Sequence, residues 1–161
     1  MNVVKLNDSA ARRLAEIDSE CFRAEAWNEG MFLNSFANPF TTILGCTEGD
    51  VLVAYLCFTK ILDEASIDSL AVLPAYRRRG YAELLLKTVL KEVAAAGVKR
   101  IYLEVEITNE AALTLYRKEG FVEQGIRYHY YGQNRHAYVM LRDDGDNASL
   151  SKTDVLQNSE R

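Results

Sequence analysis

A basic stretch that joins an apolar strand-like segment to a helix-like segment could bind an anion. Its members are Arg77, Arg78, Arg79, Gly80, Tyr81 and Ala82. A strand that feeds a glycine-containing loop and then a helix gathers backbone N–H groups at the positive end of the helix dipole. Because Gly80 has no Cβ, the backbone there can approach a phosphate closely. This stretch, called the anion loop below, indicates a phosphate site, although basic turns before helices are also common surface features.

Three polar side chains further along the chain could do acid–base chemistry or hold a ligand, and they are Glu104, Asn109 and Tyr116. Strand alternation places Glu104 on the more polar face of its segment, and Tyr116 lies seven residues, or two helical turns, beyond Asn109. Ligands bind beyond the carboxyl ends of parallel strands, so we expect the three to converge beside the anion loop. Taken singly, each also fits a structural role: an exposed charge, a helix cap and a half-buried aromatic residue.

The elements that must position these groups are a strand over residues 65–73, a helix over 79–96 and a strand over 98–107. Apolar residues recur every three to four positions in the helix, and Gly97 is a typical stop. A strand–helix–strand unit of this size predicts a right-handed crossover and a parallel pair. The other predicted elements are helices over 8–22, 28–37 and 109–118, and strands over 3–6, 41–46, 51–59, 121–131 and 136–142. The predicted helix caps are Asp8 or Ser9, Asn28 and Asn109.

Together these elements predict an α/β fold with one mixed sheet. An antiparallel N-terminal meander leads into a parallel central pair, and about four helices flank the sheet. The folded domain is predicted over residues 1–142. From 143 to 161 the composition turns polar, with little to bury, which predicts a disordered tail.

The composition is that of an ordinary globular chain with a mildly acidic surface. Of 161 residues, 48% are hydrophobic and 26% charged, with a net charge of −4 and a pI near 5.3. This balance does not favour nucleic-acid binding and makes the arginine run a local feature. No signal-peptide pattern and no apolar run near the ~18 residues of a membrane span is present, so we expect a cytoplasmic protein without membrane association. Three cysteines and two histidines show no disulfide or metal-ligand spacing, which favours reduced thiols and no metal site.

The anion loop also carries a family resemblance. The spacing Arg77-x-x-Gly80-x-Ala82 resembles the (Gln/Arg)-x-x-Gly-x-(Gly/Ala) signature of the GNAT acetyltransferases, and residues 102–121 are similar to the second half of the core of those enzymes. Within that superfamily the chain most resembles the RimI-type ribosomal-protein alanine N-acetyltransferases, on account of residues 62–65 and 127–131. The resemblance covers roughly residues 3–141 and implies the GNAT fold.

The resemblance implies acetyl-coenzyme A as donor and a protein α-amino group as acceptor. Glu104 is then the general base, and Tyr116 is the general acid that protonates the leaving thiolate. The implied cofactor contacts are Leu70, Ala71, Val72, Arg77, Arg78, Arg79, Gly80, Tyr81, Ala82, Glu83 and Asn109. An N-terminal amine, with a reference pKa near 8, must lose a proton before it attacks a thioester. Direct transfer needs no covalent enzyme intermediate, and backbone near residues 71–72 is the candidate oxyanion donor.

The acceptor groove is expected opposite the cofactor, with Trp27, Tyr130 and Tyr131 as walls. Acidic side chains near the central strand, at positions 63, 64 and 68, either favour a cationic peptide or are simply solvated. Two departures from the family pattern affect this region. Glu106 stands where a basic residue is usual, and residues 25–28 lack the usual Pro-Trp-Ser.

The acceptor is therefore the open part of the assignment. An N-terminal alanine of a small-subunit ribosomal protein is what the resemblance implies, with broader N-terminal acetylation as the nearest alternative. A GNAT enzyme acting on a small amine or a lysine side chain would share the same fold and cofactor site. A non-enzymatic module that binds acetyl-coenzyme A is the third possibility, and the pair Glu104 and Tyr116 argues against it.

Overall fold

The computed structural model describes residues 2–145 as one seven-stranded sheet with helices on both faces. The strands are β1 Asn2–Lys5, β2 Thr41–Glu48, β3 Val51–Ile61, β4 Glu64–Val72, β5 Arg100–Glu106, β6 Val122–Gly132 and β7 Arg135–Asp143. The α-helices are α1 Ala11–Phe22, α2 Glu29–Ala37, α3 Tyr81–Ala95 and α4 Glu110–Lys118. The spatial order of the strands in the sheet is β1-β2-β3-β4-β5-β7-β6.

The predicted mixed topology is confirmed. Strands β1 to β4 pair antiparallel, β4 and β5 pair parallel, and β7 lies between β5 and β6 in antiparallel register. Helix α3 provides the crossover between the two parallel strands. The burial of β5 alternates residue by residue, with Ile101, Leu103 and Val105 buried, as the sequence predicted.

Both faces of the sheet are covered. On one face the Tyr55 ring of β3 packs edge-on against Phe32 of α2, with centroids 5.5 Å apart. On the other face Phe58 of β3 lies beside Val93 and Ala96 at the end of α3. Because β3 is covered on both sides, six consecutive residues from 53 to 58 are buried, which explains its almost wholly apolar sequence.

The helix boundaries follow their caps. Asn28 Oδ1 accepts the N–H of Met31, and Asn109 Oδ1 accepts the N–H of Ala112, which confirms both predicted caps. The predicted cap of the first helix, Asp8 or Ser9, was wrong. Asn7 caps a short 3-10 turn over Asp8–Ala10, and α1 begins only after it, at Ala11. Helix α3 begins at Tyr81, since the residue before it is a left-handed glycine.

The C-terminal strand runs slightly further than the sequence indicated. Asp143 still pairs with Arg100, and the N–H of Asp144 donates to the carbonyl of Lys99 at 2.8 Å. The disordered tail was predicted over residues 143–161. Its first residue, Asp143, belongs to β7, and residues 146–161 lie outside the described residues. Within residues 2–145, the helices are too short or too polar to cross a membrane.

Candidate active site

The parallel strands separate where a bulge bends one of them. Pairing of β4 with β5 runs from Glu64–Arg100 to Ile67–Leu103 and stops there, although both strands continue. At the same point Cys57 and Phe58 of β3 pair with Ser69 and Ile67, so Asp68 is an extra residue in β4. A bulge increases the local bend and twist of its strand. It therefore turns β4 away from β5 and opens a gap between their carboxyl ends.

The backbone of β4 faces this gap at alternate residues. The N–H of Leu73 donates to Val53 of β3 at 3.0 Å, so Ala71 also points its polar backbone towards β3. Leu70 and Val72 therefore point theirs into the gap. The Val72 carbonyl accepts the Arg77 Nε at 3.0 Å and the Cys21 thiol at 3.4 Å. Three strand residues were predicted to bind the cofactor. Leu70 and Val72 have backbone groups that face the gap, and this edge of β4 is called the donor edge below, after the acetyl donor. Ala71 instead pairs within the sheet.

The anion loop turns sharply before it enters α3. Arg78 and Gly80 both lie in the left-handed region, with φ of 63° and 88°. Left-handed residues in a turn can direct neighbouring backbone N–H groups to one side, a geometry that is able to bind an anion. A Cβ built on Gly80 would meet no heavy atom of the described chain within 4 Å, so space is open directly before α3. Ala82 follows in the first turn of that helix.

Several side chains of the anion loop are engaged with the protein. Arg79 Nη1 lies 3.3 Å from Glu48 Oε2, and its guanidinium stands 5.1 Å from the Tyr76 ring centroid. The buried Tyr81 donates its hydroxyl to the same Glu48 at 2.6 Å, a hydrogen bond that raises the pKa of Tyr81 to about 12. The side chain of Tyr81 thus braces the loop, so a contact between Tyr81 and an anion would come from its backbone N–H.

Glu83 is likewise held by neighbouring lysines. Its carboxylate accepts Lys118 Nζ at 2.8 Å and Lys87 Nζ at 3.1 Å, which lowers the pKa of Glu83. These contacts tie the first turn of α3 to the end of α4. A contact between Glu83 and a cofactor would therefore come from its backbone.

Glu104 opens onto a cavity of about 500 Å³, called the cleft below. Glu104 is the first residue of β5 beyond its pairing with β4, and Val139 of β7 fixes its backbone. Its carboxylate lies 3.6 Å from Arg127 Nη1. The residues that line the cleft are Trp27, Asn34, Ser35, Asn38, Thr41, Cys57, Thr59, Asp68, Glu104 and Tyr130. Thus the predicted base and two of the three predicted acceptor walls share one cavity.

Tyr116 and Tyr131 are more buried than Tyr130. Tyr116 is 7% exposed and packs against Phe121, with centroids 5.8 Å apart. Burial raises the pKa of Tyr116 well above its ordinary value, so its phenol stays protonated. Burial, with Tyr130, Glu104 and Glu106 nearby, raises the pKa of Tyr131 to about 12.

The side chain of Asn109 caps the N-terminus of α4. Its Oδ1 is used by the N–H of Ala112 at 3.2 Å, so a ligand would be offered the Nδ2 hydrogens. Of the acidic side chains near the central strand, Asp68 lines the cleft. Glu64 instead pairs with Arg100 at 3.5 Å, at the other end of β4. Asp68 is the acidic side chain of this group that an acceptor could meet.

Arg135 is the feature that the sequence did not reveal. Its guanidinium forms ion pairs with Glu25, which precedes Trp27, and with Glu106 at 2.7 Å. The same group lies 6.0 Å from the Tyr131 ring centroid and 3.4 Å from its carbonyl oxygen. Glu106 therefore does not leave excess negative charge beside the cofactor strand, because Arg135 neutralises it and lowers its pKa. Glu25 and Arg135 are 110 residues apart, so no local signal indicated the contact.

The hairpin of β6 and β7, called the late hairpin below, is shaped by two histidines. Residues 128–131 bulge out opposite His136, between the pairs Arg127–Ala137 and Gly132–Arg135. His136 Nδ1 accepts the N–H of His129 at 2.9 Å, and His129 Nδ1 accepts that of Asn134 at 3.0 Å. The two histidines thus have a structural role, and they fix the segment that carries Tyr130 and Tyr131. The described residues contain no cluster of His, Cys, Asp and Glu that could hold a metal ion.

A bulged, splayed parallel pair with an anion loop at one strand end defines a class of acyl-transfer protein. The model of the acetyltransferase (GNAT) family matches residues 11–121, and the chain belongs to this family. Members of the family use acetyl-coenzyme A, and the chain is an acetyl-CoA-dependent N-acetyltransferase. The open donor edge and the free space at Gly80 fit an extended thioester arm and its phosphates.

Within this family, the chain is similar to several named N-terminal acetyltransferases. The chain is 35% identical to the N-alpha-acetyltransferase RimI of Mycobacterium tuberculosis, over 88% of this chain and 91% of that protein. It is 34% identical to the [ribosomal protein bS18]-alanine N-acetyltransferase of Haemophilus ducreyi, over 80% of this chain and 90% of that one. The crystal structure of the ribosomal-protein-S18-alanine N-acetyltransferase of Escherichia coli superposes with a TM-score of 0.82 at 27% identity, covering 92% and 99% of the two chains.

Proposed function

We propose that this enzyme transfers the acetyl group of acetyl-CoA to the α-amine of a protein N-terminus, and that its acceptor is the alanine that begins ribosomal protein bS18. One observation carries the proposal: the Glu104 carboxylate lies in the same cleft as Trp27 and Tyr130, immediately past the point where β4 and β5 separate. Relatives named for this acceptor, at 34% identity over most of both chains, support the choice of substrate.

The donor is held mainly by backbone. The donor edge at Leu70 and Val72 offers hydrogen bonds to the amides of the pantetheine arm, as a strand would. The N–H groups of the anion loop and the positive end of α3 hold the pyrophosphate, with Arg78 beside it. Asn109 offers its Nδ2 hydrogens to the cofactor. This arrangement delivers the thioester to the gap, next to Glu104.

The proposed reaction requires a base for the acceptor amine and an acid for the departing thiolate. A protonated α-amine enters the cleft, and Glu104 removes its proton, directly or through a water molecule. The neutral amine attacks the thioester carbonyl, whose developing oxyanion the Val72 N–H stabilises. The C–S bond then breaks, and Tyr116 donates its proton to the departing thiolate. The nitrogen gives up its second proton to solvent as the amide forms, and solvent returns a proton to the Tyr116 phenolate. The products are the acetylated amine and the free thiol of coenzyme A.

Cysteine chemistry is not required. Cys57 lines the cleft, but burial raises its pKa to about 12, so it is a thiol rather than a nucleophilic thiolate at neutral pH. Cys46 is buried elsewhere in the sheet with a pKa raised to about 11. The acetyl group therefore passes directly between two bound substrates, without an acyl-enzyme intermediate.

The test is thiol release from acetyl-CoA with a panel of short peptides that differ in their first residues. The panel contains the bS18 N-terminus, the same peptide with its α-amine blocked, other ribosomal N-termini, free lysine and a polyamine. We expect release with the bS18 peptide and none with the blocked one. Release across many N-termini would replace the narrow acceptor by a general one, and release only with lysine or polyamine would overturn α-amine acetylation.

A further inference from the structure

The mechanism leaves one buried carboxylate unused. Asp18 of α1 is 1% exposed and is the buried charged residue of the described core. Its hydrogen-bond partners are a backbone amide and a phenol, which are both neutral. Burying a carboxylate is costly unless hydrogen bonds compensate, and an apolar side chain would fill this place without that cost. A role beyond packing is therefore worth identifying.

The two oxygens of Asp18 reach in different directions. Oδ2 accepts the backbone N–H of Trp27 at 2.9 Å, nine residues further along the chain. Oδ1 accepts the hydroxyl of Tyr55, which in turn meets Ser69 Oγ at 2.7 Å. A single carboxylate thus joins the linker between α1 and α2 to strands β3 and β4.

Both ends of this chain of hydrogen bonds lie at the active site. Trp27 is a wall of the cleft, and the ring also packs on Phe32 with centroids 5.4 Å apart. Ser69 stands in β4 between Asp68, which lines the cleft, and Leu70, where the donor edge begins. The network therefore runs from the acceptor wall to the strand that presents the donor.

We propose that Asp18 is a positioning residue that holds Trp27 at the cleft and sets the affinity for the acceptor, while leaving the affinity for acetyl-CoA unchanged. The proposal rests on the proposed function in that it takes the cleft as the acceptor site. It follows because Asp18 anchors the backbone of Trp27 itself. The donor edge, by contrast, keeps its place through pairing with β3.

The first test replaces Asp18 by Ala and by Asn. Asp18→Ala removes both acceptors, so we expect the KM for acceptor peptide to rise about tenfold, as for loss of a charge-assisted hydrogen bond. The KM for acetyl-CoA should change less than about twofold. Asp18→Asn keeps one oxygen for the Trp27 N–H and can donate to Tyr55, so it should restore the acceptor KM. Glu20→Ala, an exposed carboxylate on the same helix, is the matched control.

A second readout does not depend on turnover. Trp27 is the one tryptophan of the sequence, so intrinsic fluorescence reports its surroundings alone. We expect a red-shifted emission in Asp18→Ala and wild-type emission in Asp18→Asn and Glu20→Ala. If no peptide is acetylated by the wild type, the acceptor assignment fails, and the emission shift still decides whether Asp18 positions Trp27.

Tyr55→Phe provides a variant that fills the same space and should fold even if Asp18→Ala does not. It cuts the path to Ser69 and frees one oxygen of Asp18, so the acceptor KM should rise about threefold while the acetyl-CoA KM stays constant. The proposal is overturned if the two KM values move together in the folded variants, or if the emission of Trp27 is unchanged in Asp18→Ala.

Discussion

The donor side and the acceptor side of this active site are built by different means. The proposed donor side comes from one continuous stretch, from β4 through the anion loop into α3, and it would act mainly through backbone groups. The acceptor side is assembled from the helix linker (residues 23–28), the end of β5 and the late hairpin. Its parts are joined by side chains such as Arg135, which contacts Glu25 from 110 residues away.

This difference separates cofactor binding from substrate choice. A binding site formed by backbone groups tolerates most side-chain substitutions, as long as Gly80 and the pairing of the strands remain. A wall held by ion pairs and single hydrogen bonds can change with one substitution, without disturbing the donor side. Arg135, which pairs with Glu106, is a side chain of this kind.

The largest expected effect is a loss of kcat on substitution of Glu104, which lies between the donor side and the acceptor side. Glu104→Gln keeps the shape of the side chain but cannot accept a proton, so kcat should fall about 10²–10⁴-fold. Binding of acetyl-CoA, measured by calorimetry, should remain as in the wild type. Glu106→Gln, two residues along the same face, should keep its kcat within about threefold and serves as the control. An unchanged kcat in Glu104→Gln would remove Glu104 from the role of base.

Tyr116→Phe should lower kcat about 10- to 100-fold, because water must then protonate the thiolate. Burial raises the pKa of Tyr116 above the usual value near 10, so its acid form persists to higher pH. The wild-type rate should therefore show no loss from this group between pH 7 and about pH 9.5. Tyr102→Phe, in the part of β5 that is still paired with β4, should behave like the wild type. A kcat insensitive to Tyr116→Phe would place the acid elsewhere.

Gly80→Ala should weaken the donor side alone. An alanine at φ 88° is strained by about 1 kcal/mol, and its methyl group occupies the space where a phosphate would lie. We expect the KM for acetyl-CoA to rise about tenfold. Gly97→Ala, at φ 86° and equally open in the described structure, carries the same strain away from the site. Equal loss of thermal stability with a KM effect in both variants would contradict the assignment of the anion loop.

Arg135→Ala should give the smallest effect, confined to the acceptor side. Its ion pairs are partly exposed, so the KM for peptide should rise only about threefold, and the difference should shrink at high salt. Arg117→Ala breaks a comparable ion pair with Glu123 and is the matched control. If Arg135→Ala changed the acetyl-CoA KM instead, Arg135 would belong to the donor side.

The same contrast explains what could be predicted from the sequence. The anion loop, the parallel pair and the caps at Asn28 and Asn109 are encoded by neighbouring residues, and the fold followed from them. The bulge at Asp68 has no local signature, because it depends on the register that β3 imposes on β4. The contacts of Arg135 and Asp18 join distant segments, so they emerge only when the chain is folded.

The most direct test of two separable sides is a paired measurement of both KM values in Gly80→Ala and Arg135→Ala, with thiol release as the assay. We predict that the glycine variant raises the KM for acetyl-CoA and leaves that for the bS18 peptide unchanged, and that the arginine variant does the reverse. Parallel changes of both constants in either variant would contradict the account, because donor and acceptor would then be held by one coupled site.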